Sequence, residues 1–261
     1  MLKVEITRIN TSTGKTERVN DFVAEEKPLY VFLNRSQYAT IFCTPSQMKE
    51  LAVGHALSEG IIKSVNEVKE VRLQEKKRVC HIILKESVDL EERLRLAKHF
   101  ARVIFTACGS GMPYQPSTPL AKIKSNLHVK AEDVLKNVNS LNSDATIFRK
   151  TGGVHAAAIF NTMGTRVAFA EDVGRHNAVD KTVGAASLAK AELNNCLLVL
   201  TGRLTADIIV KAARARIPLV ASLAAALDSG IALAKDLDLT LVGFARGKRL
   251  NVYSFPERIL A

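Results

Sequence analysis

The stretch from Ala156 to Ala245 limits the possible folds more than any other part of the chain. Short apolar runs of strand length, "AAAIFN", "VAFAED", "NCLLVLTG", "PLVASLA" and "LTLVGFA", alternate there with runs of helical period. The helical runs are "NAVDKTVGAASLAKAE", "TADIIVKAARARI" and "SGIALAKDL". Fully apolar strands separated by helices of this length have both faces covered, which argues for an α/β sheet between helices. The first two strands should pair as a hairpin across Thr162–Gly164. Within "TADIIVKAARARI" the spacing places Lys211 and Arg214 on the solvent side.

The first hundred residues read differently. "LKVEITRI" alternates as a half-buried strand does, and "LYVFLN" and "YATIFC" are further short strands. "TPSQMKELAVGHALSEGII" reads as a helix capped by Thr44, with Pro45 in its first position, Leu51, Ala52, His55 and Ala56 on one face, and Gly60 as the stop. "VRLQEKKRVCHIILKE" is a hairpin with a charged turn, and "DLEERLRLAKHFARVIF" has helical period. Between this α+β part and the α/β part, Gly109, Gly111, Pro113, Pro116 and Pro119 exclude a single helix or central strand. The expected organisation is an α+β N-terminal subdomain (1–107), a loop (108–126) and an α/β domain (127–261), with "EDVLKNVNSL" as a further helix.

Charge narrows the partners. Lys and Arg outnumber Asp and Glu by 37 to 26, a net +11, which favours anionic ligands. Aromatics are 5% and no basic stretch interleaves them, so single-stranded nucleic acid is not the expected ligand. The start of the chain lacks leader character, no apolar run reaches membrane-spanning length, and the four cysteines form no C-x-x-C pair. A reducing cytoplasm with no membrane contact is the expectation.

Candidate binding residues fall on three glycine-bearing loops beside strands: Arg149–Ala157 with Thr151, Gly152, Gly153 and His155; Leu200–Asp207 with Thr201, Gly202 and Arg203; and Val242–Tyr253. Ligands of open α/β sheets lie beyond the strand carboxyl ends. Gly202 would allow close backbone approach there, and Thr205 could cap the following helix. An ordinary strand-to-helix turn explains the segment equally well. Around Gly247, Arg246, Lys248 and Arg249 suit pyrophosphate oxygens, although a solvated turn is the commoner fate of such a cluster. Neither G-x-G-x-x-G nor a P-loop is present, and His155 and His176 do not form a local metal-ligand pair.

"EDVGRHNAVDK" (171–181) crowds charged and amide side chains between an apolar strand and an apolar helix. It reads as a functional polar network or as a structural ion-pair knot. Its candidates for guanine and phosphate contacts are Asp172, Arg175, His176 and Lys181, together with His155. Cys43, Cys80 and Cys196 lie in or beside apolar runs and should pack as small hydrophobes. Cys108 leads the Gly/Pro loop, where a sulfur could reach a partner, or it is a buried loop anchor.

Together "TGGVHAAA", "EDVGRHNAVDK", "TGRLTADIIVKAARARIPLVAS" and "TLVGFARGKRLNVY" resemble, in order, the signature segments of the formate dehydrogenase accessory sulfurtransferase (FdhD) family. "TPSQMKELAVGHALSEGII" resembles its N-terminal helix. The resemblance implies a cytidine deaminase-like three-layer α/β/α sandwich with a smaller α+β N-terminal subdomain. It also implies a homodimer and a sulfur-transfer reaction. A cysteine desulfurase would pass a persulfide sulfur to Cys108, which would deliver it to the molybdenum (or tungsten) bis-pterin guanine dinucleotide cofactor of formate dehydrogenase. That cofactor is substrate, GDP its simplest mimic, and no resident cofactor is expected. By the same resemblance Phe244, Ala245, Arg246, Gly247, Lys248 and Arg249 contact it. The family's C-G-x-C-G loop has Cys108 first but Gly111 at its second cysteine. A one-cysteine persulfide carrier is therefore compatible with the loop, and a two-cysteine relay is not. A cofactor chaperone without sulfur chemistry is the alternative, and a nucleotide-modifying enzyme on the same fold a weaker one. "HAA" in place of H-x-E argues against deamination.

Overall fold

A computed structural model describes residues 1–98 and 120–261. In chain order the elements are β1 (Leu2–Ile9), β2 (Thr16–Val23), β3 (Lys27–Leu33), β4 (Ser36–Cys43), α1 (Met48–Ser58), β5 (Val68–Gln74), β6 (Val79–Leu84) and α2 (Leu90–Lys98). They continue with β7 (Val129–Lys130), α3 (Ala131–Asp144), α4 (Thr146–Thr151), β8 (His155–Asn161), β9 (Arg166–Asp172) and α5 (Arg175–Leu188). The last are β10 (Cys196–Leu200), α6 (Ala206–Arg214), β11 (Leu219–Ser222), α7 (Asp228–Asp236), β12 (Thr240–Arg246), β13 (Arg249–Ser254) and β14 (Ile259–Leu260).

The central sheet has the order β13-β12-β11-β10-β8-β9. β10, β11 and β12 run parallel, connected through α6 and α7, while β8, β9 and β13 are antiparallel to their neighbours. Side chains alternate between two cores as the pleat requires. Ala157, Ile159, Leu198, Leu200, Val220 and Leu241 face α5, α6 and α7. Ala156, Ala158, Leu197, Val199, Leu219 and Val242 face Val134, Val138 and Leu141 of α3. Both faces are covered, as the continuous apolar runs predict, so the centre of the protein is a three-layer α/β/α arrangement.

A second sheet, in the order β4-β3-β6-β5, buries Leu29, Val31, Leu33, Cys80 and Ile82 in the same cluster that holds α5 and α6. The apolar core is therefore continuous from the N-terminal segment into the α/β part. Helix α1 links them. It lies so close to α5 that a Cβ on Gly54 would sit 1.8 Å from the Asp180 carbonyl oxygen, and one on Gly184 2.0 Å from that of Glu50. Only glycine permits this approach.

Two local expectations are corrected. Helix α1 begins at Met48, after Gln47 in a left-handed conformation, so neither Thr44 nor Pro45 belongs to it. Thr44 is instead used in tertiary hydrogen bonds that span more than a hundred residues. Lys211 lies inward, 7% exposed, because its stem follows the apolar face of α6 and its ammonium meets a buried carboxylate. Residues 120–128 have no regular structure, yet Ile123 and Leu127 are buried. Among the described residues no helix is long and apolar enough to cross a membrane.

Candidate functional site

The strand directions bring the predicted loops to one edge. The parallel strands end there at Leu200, Ser222 and Arg246. β8 runs the other way and begins there, with Ala157 opposite Leu200 and His155 opposite Asp172 at the end of β9. The edge therefore carries His155, the β9–α5 turn, the β10–α6 turn, the β11–α7 turn and the tip of the β12–β13 hairpin. The amino ends of α5, α6 and α7 follow these turns, and each adds partial positive charge to the edge.

The polar run at the β9–α5 turn divides by partner. Glu171 accepts from the backbone N–H groups of Ile147 (3.1 Å) and Phe148 (2.8 Å), so it closes the start of α4. Asp172 and Lys181, both fully buried, form an ion pair of 2.6 Å. Lys181 Nζ also donates to the carbonyls of Thr44 (2.9 Å) and Glu171 (3.2 Å). Asp172 accepts from the N–H of Thr44 (3.0 Å) and of Gly174 (2.9 Å) and from Asn177 Nδ2 (3.0 Å). This knot fixes the end of β4 against the start of α5. Ligand contact, expected of Asp172 and Lys181, is not open to side chains sealed and satisfied in this way.

Asp180 forms a second knot. Lys211 Nζ lies 2.8 Å from both its oxygens, Ser58 Oγ donates at 2.5 Å, and His55 Nδ1 lies at 3.4 Å. Burial opposes its ionisation, but the Lys211 ammonium and His55 override that and hold the carboxyl well below the usual range. These interactions join α1, α5 and α6. The ion-pair alternative thus accounts for Asp172, Asp180 and Lys181, and Glu171 is taken up by backbone N–H groups.

Arg175 and His176 remain. Arg175 Nε and His176 Nδ1 are buried with no hydrogen-bond partner. Burial, with the cations of Lys211 and Arg175 nearby, pushes His176 down to about 3, so its ring is neutral. Burial and the Arg203 charge lower the Arg175 guanidinium, against the pull of Asp207. His155 Nδ1 lies 3.2 Å from Thr201 Oγ1, which also accepts from the N–H of Ala156 (3.1 Å), and burial lowers this imidazole too. Gly202 leaves room for a side chain rather than a ligand, since its Cβ would lie 3.0 Å from Arg175 Cβ. Thr151 and Gly153 close α4 by a 3.1 Å hydrogen bond, and Gly152 ends it in a left-handed conformation.

"FARGKR" is the tip of a β-hairpin and not an open loop. Arg246 faces Arg249 across a turn made by Gly247 (φ 61°) and Lys248. Like charges directly opposite are unfavourable. All three cations are exposed, and none has an ion pair among the described residues. Phe244 is held at φ 50° where the β12–β13 register shifts, with its N–H donating to the Ala224 carbonyl (3.0 Å). Arg246 stacks 5.3 Å above its ring. Ala245 points into the core on the α3 side. A bulge of this kind re-aims side chains at a strand end.

The sequence reading missed Asp207 and Ser222. Asp207, in the first turn of α6, is a half-buried carboxylate on a cationic edge, raised by burial against the pull of Lys211 and Arg175. The one proton of Ser222 Oγ is shared between the carbonyls of Gly202 (2.6 Å) and Leu200 (2.9 Å), and so shapes the β10–α6 turn. An acid in a first helical turn is ordinary, so the sequence offered no signal for Asp207. Cys108 and Gly111 lie outside the described residues. The other cysteines are buried, and burial pushes the Cys43 and Cys80 thiols up to about 11 and raises that of Cys196. Among the described residues no group of three His, Cys, Asp or Glu side chains is placed to hold a metal ion.

The fold and this edge make the protein an α/β sandwich with a cationic, partly unsatisfied polar rim beyond its parallel strand ends. The FdhD/NarQ family model matches residues 24–260. The sulfur carrier protein FdhD of Shouchella clausii is 36% identical over 253 residues, 94% of this chain and 92% of that protein. The sulfur carrier protein FdhD of Saccharolobus solfataricus is 34% identical over 261 residues, covering 98% and 97%. A crystal structure described as that of a formate dehydrogenase accessory protein, from Desulfotalea psychrophila, matches with a TM-score of 0.80 at 26% identity over 99% of each chain. The chain belongs to the FdhD/NarQ family.

Proposed function

We propose that this protein is a sulfur carrier serving formate dehydrogenase in the cytoplasm. Relatives matched over more than nine-tenths of their length are named sulfur carrier protein FdhD, and the similar crystal structure is described as that of a formate dehydrogenase accessory protein. The observation that carries the reading to a residue is subtraction. Of the four cysteines, Cys43, Cys80 and Cys196 are buried and their thiols raised, which leaves Cys108 as the candidate nucleophile. The Cys108 thiolate attacks the outer sulfur of a persulfide on a cysteine desulfurase. The donor's S–S bond breaks, the donor cysteine leaves as a thiolate, and Cys108 becomes Cys–S–SH. The cationic edge holds the molybdenum or tungsten bis-pterin guanine dinucleotide as the substrate that receives the sulfur. Arg246, Lys248 and Arg249 suit its pyrophosphates, and the stacked Phe244 offers an aromatic face.

The test is to incubate the protein with a cysteine desulfurase and cysteine, then read the sulfane adduct by mass spectrometry. Wild type should gain one sulfur at Cys108. Cys108→Ala should gain none and should fail to mature formate dehydrogenase while melting as wild type does. Full maturation by Cys108→Ala would refute sulfur transfer and favour the chaperone alternative, toward which Gly111 in place of a second loop cysteine already points.

A further inference from the structure

The amino ends of α5 and α6 meet beneath the end of β10, and the side chains gathered there are unlike those of a phosphate cradle. α5 supplies Arg175 and His176, and the start of α6 supplies Thr205 and Asp207. The Arg175 stem lies against Gly202, and its guanidinium and the Asp207 carboxyl each favour the other's charged form. Three polar atoms here, Arg175 Nε, His176 Nδ1 and Thr205 Oγ1, are buried with no hydrogen-bond partner. Thr205 stands at the N-cap position of α6, yet its side chain makes no capping hydrogen bond. Buried polar atoms are nearly always paired, so three orphans at the starts of α5 and α6 call for a group that completes them.

The chemistry of that group follows from the set. Arg175 Nε–H can only donate and the Asp207 carboxyl supplies acceptor oxygens, while neutral His176 and the Thr205 hydroxyl can adapt to either need. No hydrogen bond or ion pair engages the Asp207 carboxylate among the described residues, and it is not sealed from solvent. A phosphate offers acceptors alone and would be repelled by this carboxylate. A heterocycle edge with adjacent N–H groups beside a carbonyl oxygen fits. We propose that this cluster reads the 2-amino-4-oxopyrimidine edge that guanine and pterin share. Asp207 accepts the ring N–H and the exocyclic amine, and Arg175 Nε donates to the carbonyl oxygen. The assignment rests on the cofactor-carrying reading above and gives Asp207 the role of a specificity-determining residue.

The test is calorimetric binding to the full-length protein. GDP is compared with IDP, which lacks the exocyclic amine, and pterin with its 2-oxo analogue lumazine, for wild type and Asp207→Asn. If the guanine end sits here, wild type prefers GDP to IDP about ten-fold or more, equivalent to about 1.4 kcal/mol. Asp207→Asn then brings that ratio near one, GDP losing more than IDP because IDP has only the ring N–H to lose, and the IDP binding that remains shows that the variant is folded. If the pterin end sits here, the same Asp207-dependent preference is seen for pterin over lumazine, and GDP and IDP bind alike. Wild-type binding with no amine preference in either pair overturns the assignment, whether or not the variant folds, and leaves the cofactor-carrying reading intact. No binding of GDP or pterin by wild type would sink that reading itself.

Discussion

Lys211→Met isolates the buried charge that joins α1, α5 and α6. The side chain of Asp180 is 1% exposed and that of Lys211 8%, so solvent screens their pairing little. Methionine keeps most of the stem's packing but leaves Asp180 with only Ser58 and His55. Removing one partner of a buried pair costs about 3–5 kcal/mol. In a chain of this size each kcal/mol lowers Tm by roughly 2–4 °C, so scanning calorimetry at neutral pH should show a fall of about 10 °C. The double variant Lys211→Met with Asp180→Leu removes both charges and should recover most of the loss, because apolar replacement of a buried pair is often neutral. The sign with pH follows from the depressed Asp180 carboxyl. Its stabilisation is fully present above the unfolded aspartate value of about 4 and is lost as pH falls below it. Wild type should therefore lose stability faster than the double variant when acidified from about pH 4. A single variant that melts within about 2 °C of wild type, or a double variant that falls as far as the single, would refute the argument.

Gly54→Ala sets helix propensity against packing. The new Cβ would lie 1.8 Å from the Asp180 carbonyl oxygen, so α1 and α5 must part. Overpacking of this kind costs about 1–3 kcal/mol or more, against a propensity gain of about 1. Tm should fall by roughly 5 °C, and a rise would contradict the close approach. Arg246→Ala should weaken GDP about ten-fold, more salt should weaken wild-type binding further, and Arg246→Lys should restore part of the loss because an ammonium lacks the guanidinium fork. Calorimetry at two salt concentrations reads this, and three equal affinities would make "FARGKR" a solvated turn.

What could be read from the chain depended on how far apart in sequence the interacting groups lie. The continuous apolar runs of "NCLLVLTG" and "LTLVGFA" are a local signal, and both form strands covered on both faces. The start of α1 was misplaced because Thr44 looks like a cap locally, whereas its partners, Asp172 and Lys181, lie 128 and 137 residues away. Lys211 was placed on the wet face because a single ammonium on an amphipathic helix usually belongs there, and Asp180, 31 residues earlier, reverses that. The same distance effect governs the site. The run 171–181 announces its polarity but not its pairings. Only with Glu171, Asp172, Asp180 and Lys181 matched to distant partners do Arg175 and His176 stand out, and only the sheet topology brings Asp207 near Arg175. Charge density in a sequence therefore marks where a network lies. Its ligand-facing members are those left unmatched after the fold has paired the rest, and here that remainder is a mixed donor–acceptor set and not a cluster of cations.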